Sequence, residues 1–379
     1  MKFKLFILLS LTIHVQTFCQ VNLNKYKTDS TLINYYDGTL EFVHYNNRQE
    51  SIYAFDKKHS KLLRYSLDGE ETKLVQFEKD GPNGYGAYIE NISFLESGGL
   101  FLITNKFFIN FDENWRETNR QKNNSNKPIS PLTLIQTNVS PSYTSKEKES
   151  SIFYADNNLP YSKLEKSQLD TLKALKMINS YNLRSKNIIP LLSLGYDNDE
   201  YYTADFKKPI YSVSNKKLFI SFPYSDKIYI LDIEDNYRIL QEIIIRKPVT
   251  EALIDFKWPV SKKTMKIREA TLKVKPITKL IPLRDFVLVE FLTVNQSGQA
   301  QIDFNDSESI SKFMSKGGNS YTKSYKIFSS ENSSRVDLEI EGDILFSSEN
   351  VLFLLKPGDV YGEEFYTIYK INLSQFKIN

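Results

Sequence analysis

Residues 217–236 read KLFISFPYSDKIYILDIEDN: an apolar run, a polar turn, a second apolar run, then an Asp before the next turn. The runs are rich in Ile, Phe, Tyr and Leu and are too short for helices, so they read as the two strands of a hairpin. The plan recurs at 51–70 (SIYAFDKKHSKLLRYSLDGE), 99–114 (GLFLITNKFFINFDEN), 151–158 (SIFYADNN), 285–295 (DFVLVEFLTVN) and 350–373 (NVLFLLKPGDVYGEEFYTIYKINL). Successive starts lie 48, 52, 66, 68 and 65 residues apart. Such a period suits one four-stranded propeller blade with its loops. A single blade leaves both faces apolar, and stacking six in a ring buries them.

The expected architecture is therefore all-β, a six-bladed β-propeller in one closed domain over residues 20–379. A pair of packed β-sheets is the alternative. Residues 38–45, with EFVHY at 41–45 as their apolar-alternating part, are expected to pair with 365–373 and close the ring. Three segments break the rhythm. NRQKNNSNK at 119–127 reads as a polar loop. Residues 162–180 carry a partial helical stripe (Leu164, Leu169, Leu172, Leu175), read as a short helix or the approach to a strand. Residues 295–320, rich in Ser, Asn, Gln and Gly, read as an excursion between strands of the fifth blade.

The chain of 379 residues is 41% hydrophobic and 25% charged, a composition neither disordered nor membrane-embedded. Its first 19 residues, MKFKLFILLSLTIHVQTFC, join Lys2 and Lys4 to an apolar stretch too short to span a bilayer, which reads as an export signal. Thr17 and Cys19 are small residues at −3 and −1, favouring cleavage before Gln20. In the other reading Cys19 is acylated as a lipid anchor, although Phe18 is bulky where a lipobox takes Gly, Ala or Ser. Cleavage would leave 47 basic against 46 acidic residues and no cysteine. That balance gives no global attraction to nucleic acid or anionic lipid. No later apolar stretch approaches the length of a transmembrane helix, and the expected location is the periplasm or outer envelope.

Few segments carry chemistry. FEKDGPNGYG at 77–86 places Gly81, Gly84 and Gly86 where backbone N–H groups could cradle a phosphate, but no Lys-Ser/Thr pair or strand–helix frame follows. Pro82, Asn83 and the glycines fit a tight inter-blade turn instead. This stretch resembles the GPNG turn of a bacterial envelope family catalogued as domain of unknown function 4221. It is similar, more loosely, to turns of six-bladed propellers of the NHL type. The SFPYSD core at 221–226 resembles the same family. The resemblance implies a propeller-like fold at the cell envelope, often with a lipid anchor, and brings no activity or catalytic residue with it.

GYDNDEYYTADF at 195–206 offers Asp197, Asp199 and Asp205 as calcium ligands in an exported propeller, although Asp-Asn-Asp is also ordinary turn chemistry. Residues 246–275 hold nine basic residues against Glu251, Asp255 and Glu269. There Trp258, Lys262 and Lys263 form a candidate ligand surface, an indole for stacking on a sugar ring beside two cations. The bland reading is a solvated basic face. His44 and His59, the histidines left after cleavage, read as solvated or strand-packed. These features point to an exported binding or scaffold protein whose partner is an envelope protein or glycan. The alternative is a calcium-assisted hydrolase or lyase acting on an exported carbohydrate or lactone.

Overall fold

The computed structural model describes residues 20–56, 58–78, 84–85, 89–123, 138–139, 141–145, 150–155, 178–191, 209–223, 225–246, 275–284, 286–294, 321–329, 335–356 and 365–376. Within these the chain forms six antiparallel sheets, the blades of one propeller. From the inner strand outward, blade 1 is Glu41–Asn46, Ser51–Asp56, Lys61–Ser66 and Glu71–Gln76. Blade 2 is Ile89–Phe94, Leu100–Thr104, Phe107–Phe111 and Glu117–Lys122. Blade 3 is Ser142–Thr144, Ser150–Ala155, Ile178–Asn182 and Ile188–Leu191. Blade 4 is Ile210–Ser214, Lys217–Ser221, Lys227–Asp232 and Arg238–Ile244. Blade 5 is Ile277–Pro282, Phe286–Val294, Tyr321–Ser329 and Arg335–Glu339. Blade 6 takes Asp343–Ser348, Val351–Leu355 and Phe365–Asn372 from the end of the chain and its outer strand, Lys27–Asn34, from the beginning.

The six recurring runs of sequence are the second strands of the six blades. Each is sandwiched between flanking strands and between neighbouring blades. Side chains on both faces are therefore buried, as along the whole of Ser51–Asp56 and Leu100–Thr104. Six apolar clusters join successive blades, among them one between blades 1 and 2 (Tyr53, Leu62, Ile92, Leu102) and one between blades 6 and 1 (Ile33, Phe353, Ile52, Tyr65). Burial of this kind stabilises by about 25 cal/mol per Å² of apolar surface, so stacking the blades turns their unfinished faces into core, and closing the ring covers the last two.

Closure uses a different strand from the one the sequence suggested. Phe365–Asn372 pairs antiparallel with Lys27–Asn34, from Lys27 opposite Ile371 to Asn34 opposite Phe365. Residues 41–46 are instead the inner strand of blade 1. The closing strand, KTDSTLIN, buries Thr31 and Ile33 on one side only, so its apolar signal is faint. Residues 119–122, the start of the supposed polar loop at 119–127, belong to the strand Glu117–Lys122, polar because it is the outer edge of blade 2, and 124–127 lie outside the described residues. Gln20–Asn22 adds a parallel strand to the outer edge of blade 5, and Leu23, fully buried, enters the cluster between blades 5 and 6.

The antiparallel order divides the connections between two faces. Links from first to second and from third to fourth strand return on one face, and none exceeds five residues. Asn46, Asp112, Asn182 and Asp232 end strands there, each accepting two backbone N–H groups from the following turn. Asp112 and Asp232 are the Asp residues of the recurring pattern, whereas Asn46 and Asn182 lie outside the stretches that carried it. Links from second to third strand and from blade to blade root on the opposite face. They include 77–88, 156–177, 192–209, 245–276 and 295–320. The excursion at 295–320 does join two strands of blade 5, Phe286–Val294 and Tyr321–Ser329.

Truncating the closing strand on its buried side tests this account. Ile33→Ala is expected to lower the urea unfolding free energy by about 2–4 kcal/mol, as for other core truncations. Leu32→Ala, at a position 52% exposed, should change it by less than about 0.5 kcal/mol. Equal effects at the two positions would contradict the assigned register.

Candidate functional site

The residues singled out from sequence fall largely in the long connections. Asp197, Asp199 and Asp205 lie outside the described residues, in the link from Leu191 of blade 3 to Ile210 of blade 4. Trp258, Lys262 and Lys263 also lie outside them, in the link from blade 4 to blade 5, as does Cys19. Both links root on the long-loop face. Arg246, first of the basic residues, is described. Its guanidinium donates to the carbonyls of Ser225, Lys275 and Pro223 at 2.8, 3.0 and 3.0 Å. It thus ties together the two ends of the basic excursion. The glycine-rich turn is anchored likewise, with the carbonyl of Gly84 accepting from Arg120 and the Tyr85 hydroxyl bonded to Ser60 at 2.9 Å. Gly81 and Gly86 lie outside the described residues.

Two polar networks lie below this face. In blade 1, Asp56 is fully buried at the end of the second strand. It accepts from the Tyr35 hydroxyl at 2.6 Å, the His59 backbone N–H at 3.1 Å and His59 Nδ1 at 2.6 Å. Burial alone would raise the carboxyl pKa, but these donors outweigh it and hold Asp56 below the usual carboxylate range. The same carboxylate and burial push the Tyr35 phenol upward. A Cβ on Gly38 would stand 3.1 Å from the Asp56 carboxylate, so glycine lets the chain from blade 6 pass close to it. This network locks a turn: every donor on Asp56 comes from the loops that it holds.

The second network lies between blades 5 and 6. Lys279 and Glu290 are opposite one another in the first two strands of blade 5, and Tyr325 is opposite Glu290 on the third. Partners in register share a face, here the face toward blade 6, where Tyr325 is packed. Glu290, 5% exposed, accepts from the Thr278 hydroxyl at 2.6 Å and the Tyr325 hydroxyl at 3.1 Å. Lys279 reaches across to blade 6 and donates to the carbonyls of Ile344 and Leu345. Burial lowers its pKa to about 8. Lys323 stands at the solvent edge, 2.8 Å from Asp343 and 3.9 Å from Glu290. Two cations and two carboxylates thus meet, Lys323 and Asp343 near the long-loop ends of their strands and Lys279 and Glu290 further along theirs. A charged pair fixed from behind by buried ionisable groups is the kind of arrangement found at functional sites. Sequence reading missed it, although a lone Glu in FVLVEFLTV and a lone Lys in ITKLIP were visible signals.

His44 and His59 do not come together. His44, on the inner strand of blade 1, stacks on Phe94 of blade 2 with centroids 4.5 Å apart and planes 6° apart. His59 is held by Asp56 at the other end of the second strand. Among the described residues no group of three His, Cys, Asp or Glu side chains could hold a metal.

The inner strands complete the frame. Those of blades 4 and 5, 5 and 6, and 6 and 1 approach one another around the axis. Asn138–Val139, just before the inner strand of blade 3, pairs directly with Asn91–Ile92 of blade 2. A member of the domain-of-unknown-function family 4221 from Bacteroides vulgatus superposes on this ring with a TM-score of 0.57 at 13% identity, covering 91% of this chain and 98% of its own. The chain is similar to that family in fold. A protein from Bacteroides fragilis described as exported matches at a TM-score of 0.50 and 8% identity, over 93% of this chain and 97% of its own. No protein-family model and no curated protein matches the chain. At these identities the likeness is one of architecture, and the propeller's chemistry has to be read from its own residues.

Burial of His44 makes stability depend on pH. Its pKa is pushed down to about 4 from an ordinary 6.5. The folded state therefore binds fewer protons than the unfolded state between these values. This contribution is complete above pH 6.5 and is lost progressively as the pH falls toward 4. Over that range the wild type is expected to lose up to about 3 kcal/mol more than His44→Phe, which keeps the stack and cannot titrate. Parallel urea-stability profiles would refute it.

Proposed function

We propose that the chain is an exported binding or scaffold protein of the bacterial cell envelope, with the long-loop face of its propeller as the binding surface. The carrying observation is the asymmetry of the faces: turns of five residues or fewer on one, and connections of up to 32 residues on the other. Loops on a rigid frame are where recognition is elaborated without disturbing a core. The apolar leader at 1–19 supports export, as does the likeness to a protein described as exported. No helix among the described residues is long and apolar enough to cross a membrane. The partner is an envelope protein or glycan.

Shortening the excursion at 295–320 to a Gly-Ser turn is expected to abolish crosslinking to the partner in intact cells while leaving the melting temperature within a few degrees. Changing the opposite-face turn at 233–237 should leave crosslinking intact. The reverse pattern would place the surface on the wrong face. Mass analysis of the protein from its native host should find an N-terminus at Gln20, or at an acylated Cys19 if the chain is anchored. A calcium-dependent rise in melting temperature, lost in Asp197→Asn and Asp199→Asn, would instead favour the metal-assisted enzyme.

A further inference from the structure

The charged network between blades 5 and 6 has more organisation than ring closure needs. An exposed ion pair contributes about 0–1 kcal/mol, and burying further ions beside it is seldom a net gain in stability. Here the side chains of Lys323 and Asp343 are 38% and 42% exposed, open to a ligand, yet both are constrained. Lys323 is also drawn toward Glu290, which is itself held by Thr278 and Tyr325. Asp343 begins the inner strand of blade 6, whose next carbonyls, those of Ile344 and Leu345, accept from Lys279. The link from blade 5 to blade 6 is only three residues long, so the blades' own connection places little chain over the pair. The excursion at 295–320 leaves and rejoins blade 5 at the same end.

We infer that the Lys323–Asp343 pair is a subsite for a neutral polyol, such as the adjacent hydroxyls of a glycan residue. One hydroxyl donates to the Asp343 carboxylate and its neighbour accepts from the Lys323 ammonium. The charge count selects this chemistry. Lys279 and Lys323 balance Glu290 and Asp343, so the site has no net attraction for an anion or a cation. It presents a strong donor beside a strong acceptor, with N and O 2.8 Å apart. A vicinal diol offers the complementary donor and acceptor on adjacent carbons and needs no charge of its own. Hydrogen bonds to ionised groups are the stronger class, which makes a neutral sugar a sufficient ligand. The inference deepens the binding-face reading and rests on it.

The test is calorimetry on the mature wild-type protein with neutral oligosaccharides, the same sugars O-methylated at adjacent hydroxyls, and acidic oligosaccharides. Neutral sugars are expected to bind, and methylation of either hydroxyl to abolish binding. Lys323→Met and Asp343→Asn should each weaken binding about tenfold or more, the loss of one charge-assisted hydrogen bond. Both positions are half-exposed, and unchanged melting temperatures would confirm that the variants fold. Absence of binding to every neutral sugar, preference for the acidic ones, or unchanged affinity in both variants would each overturn the subsite. If the partner still crosslinks through the long-loop face in those cases, the binding-face reading stands and this inference alone falls. Loss of that crosslinking pattern in wild type would bring down the broader reading instead.

Discussion

The pairing of Lys27–Asn34 with Phe365–Asn372 is the constraint on which the rest of the propeller depends. The four antiparallel strands of each of blades 1 to 5 come from one continuous stretch of chain, and each blade carries apolar side chains that only a neighbour can cover. Blade 6 borrows its outer strand from the other end of the molecule. Ile33 then completes the cluster between blades 6 and 1, and the buried Leu40 N–H reaches the Tyr366 hydroxyl at 3.0 Å. Without that strand the two terminal blades would present apolar surface to water. With it, no blade has a free face. The added strand Gln20–Asn22 and the buried Leu23 extend the clasp from blade 6 to blade 5.

How much of this was legible in the sequence follows from where each strand sits. Second strands are covered on both faces, so their apolar runs are continuous and their spacing revealed six blades. Outer strands face solvent, and NRQK at 119–122 looks like part of a loop because nothing apolar is required of it. The closing strand fails for the same reason, and the nearest stronger run, EFVHYN, took its place in the reading. Asp112 and Asp232 were visible in the recurring pattern, but their use as acceptors for the following N–H groups needed the geometry. The charged cluster between blades 5 and 6 was hidden because Lys279, Glu290, Lys323 and Asp343 come from four strands of two blades. Only the register brings them together.

Arg246, Arg120 and Asp56 share a role that composition could not disclose. Each is a charged side chain that pins a connection on the long-loop face: Arg246 through backbone carbonyls, Asp56 through Tyr35 and His59, and Arg120, held by Glu117 of its own strand, through the carbonyl of Gly84. A basic count over 246–275 treats Arg246 as part of a cationic surface, whereas its three carbonyl acceptors make it a clamp. Rigid roots of this kind let the chain between them vary in sequence and length without loosening the blades.

The distance between the paired ends also governs how the molecule is made. Thr28 bonds to the carbonyl of Lys370, 342 positions away, so the ring's last joint is among its most non-local contacts. Contacts of that separation form late and slowly. A chain made from its N-terminus can stack its early blades, but its first strand stays unpaired until the last hairpin arrives. Until then an exposed edge and two apolar blade faces are open to wrong partners. The architecture therefore concentrates the need for protection from aggregation in the interval before the C-terminal hairpin is complete.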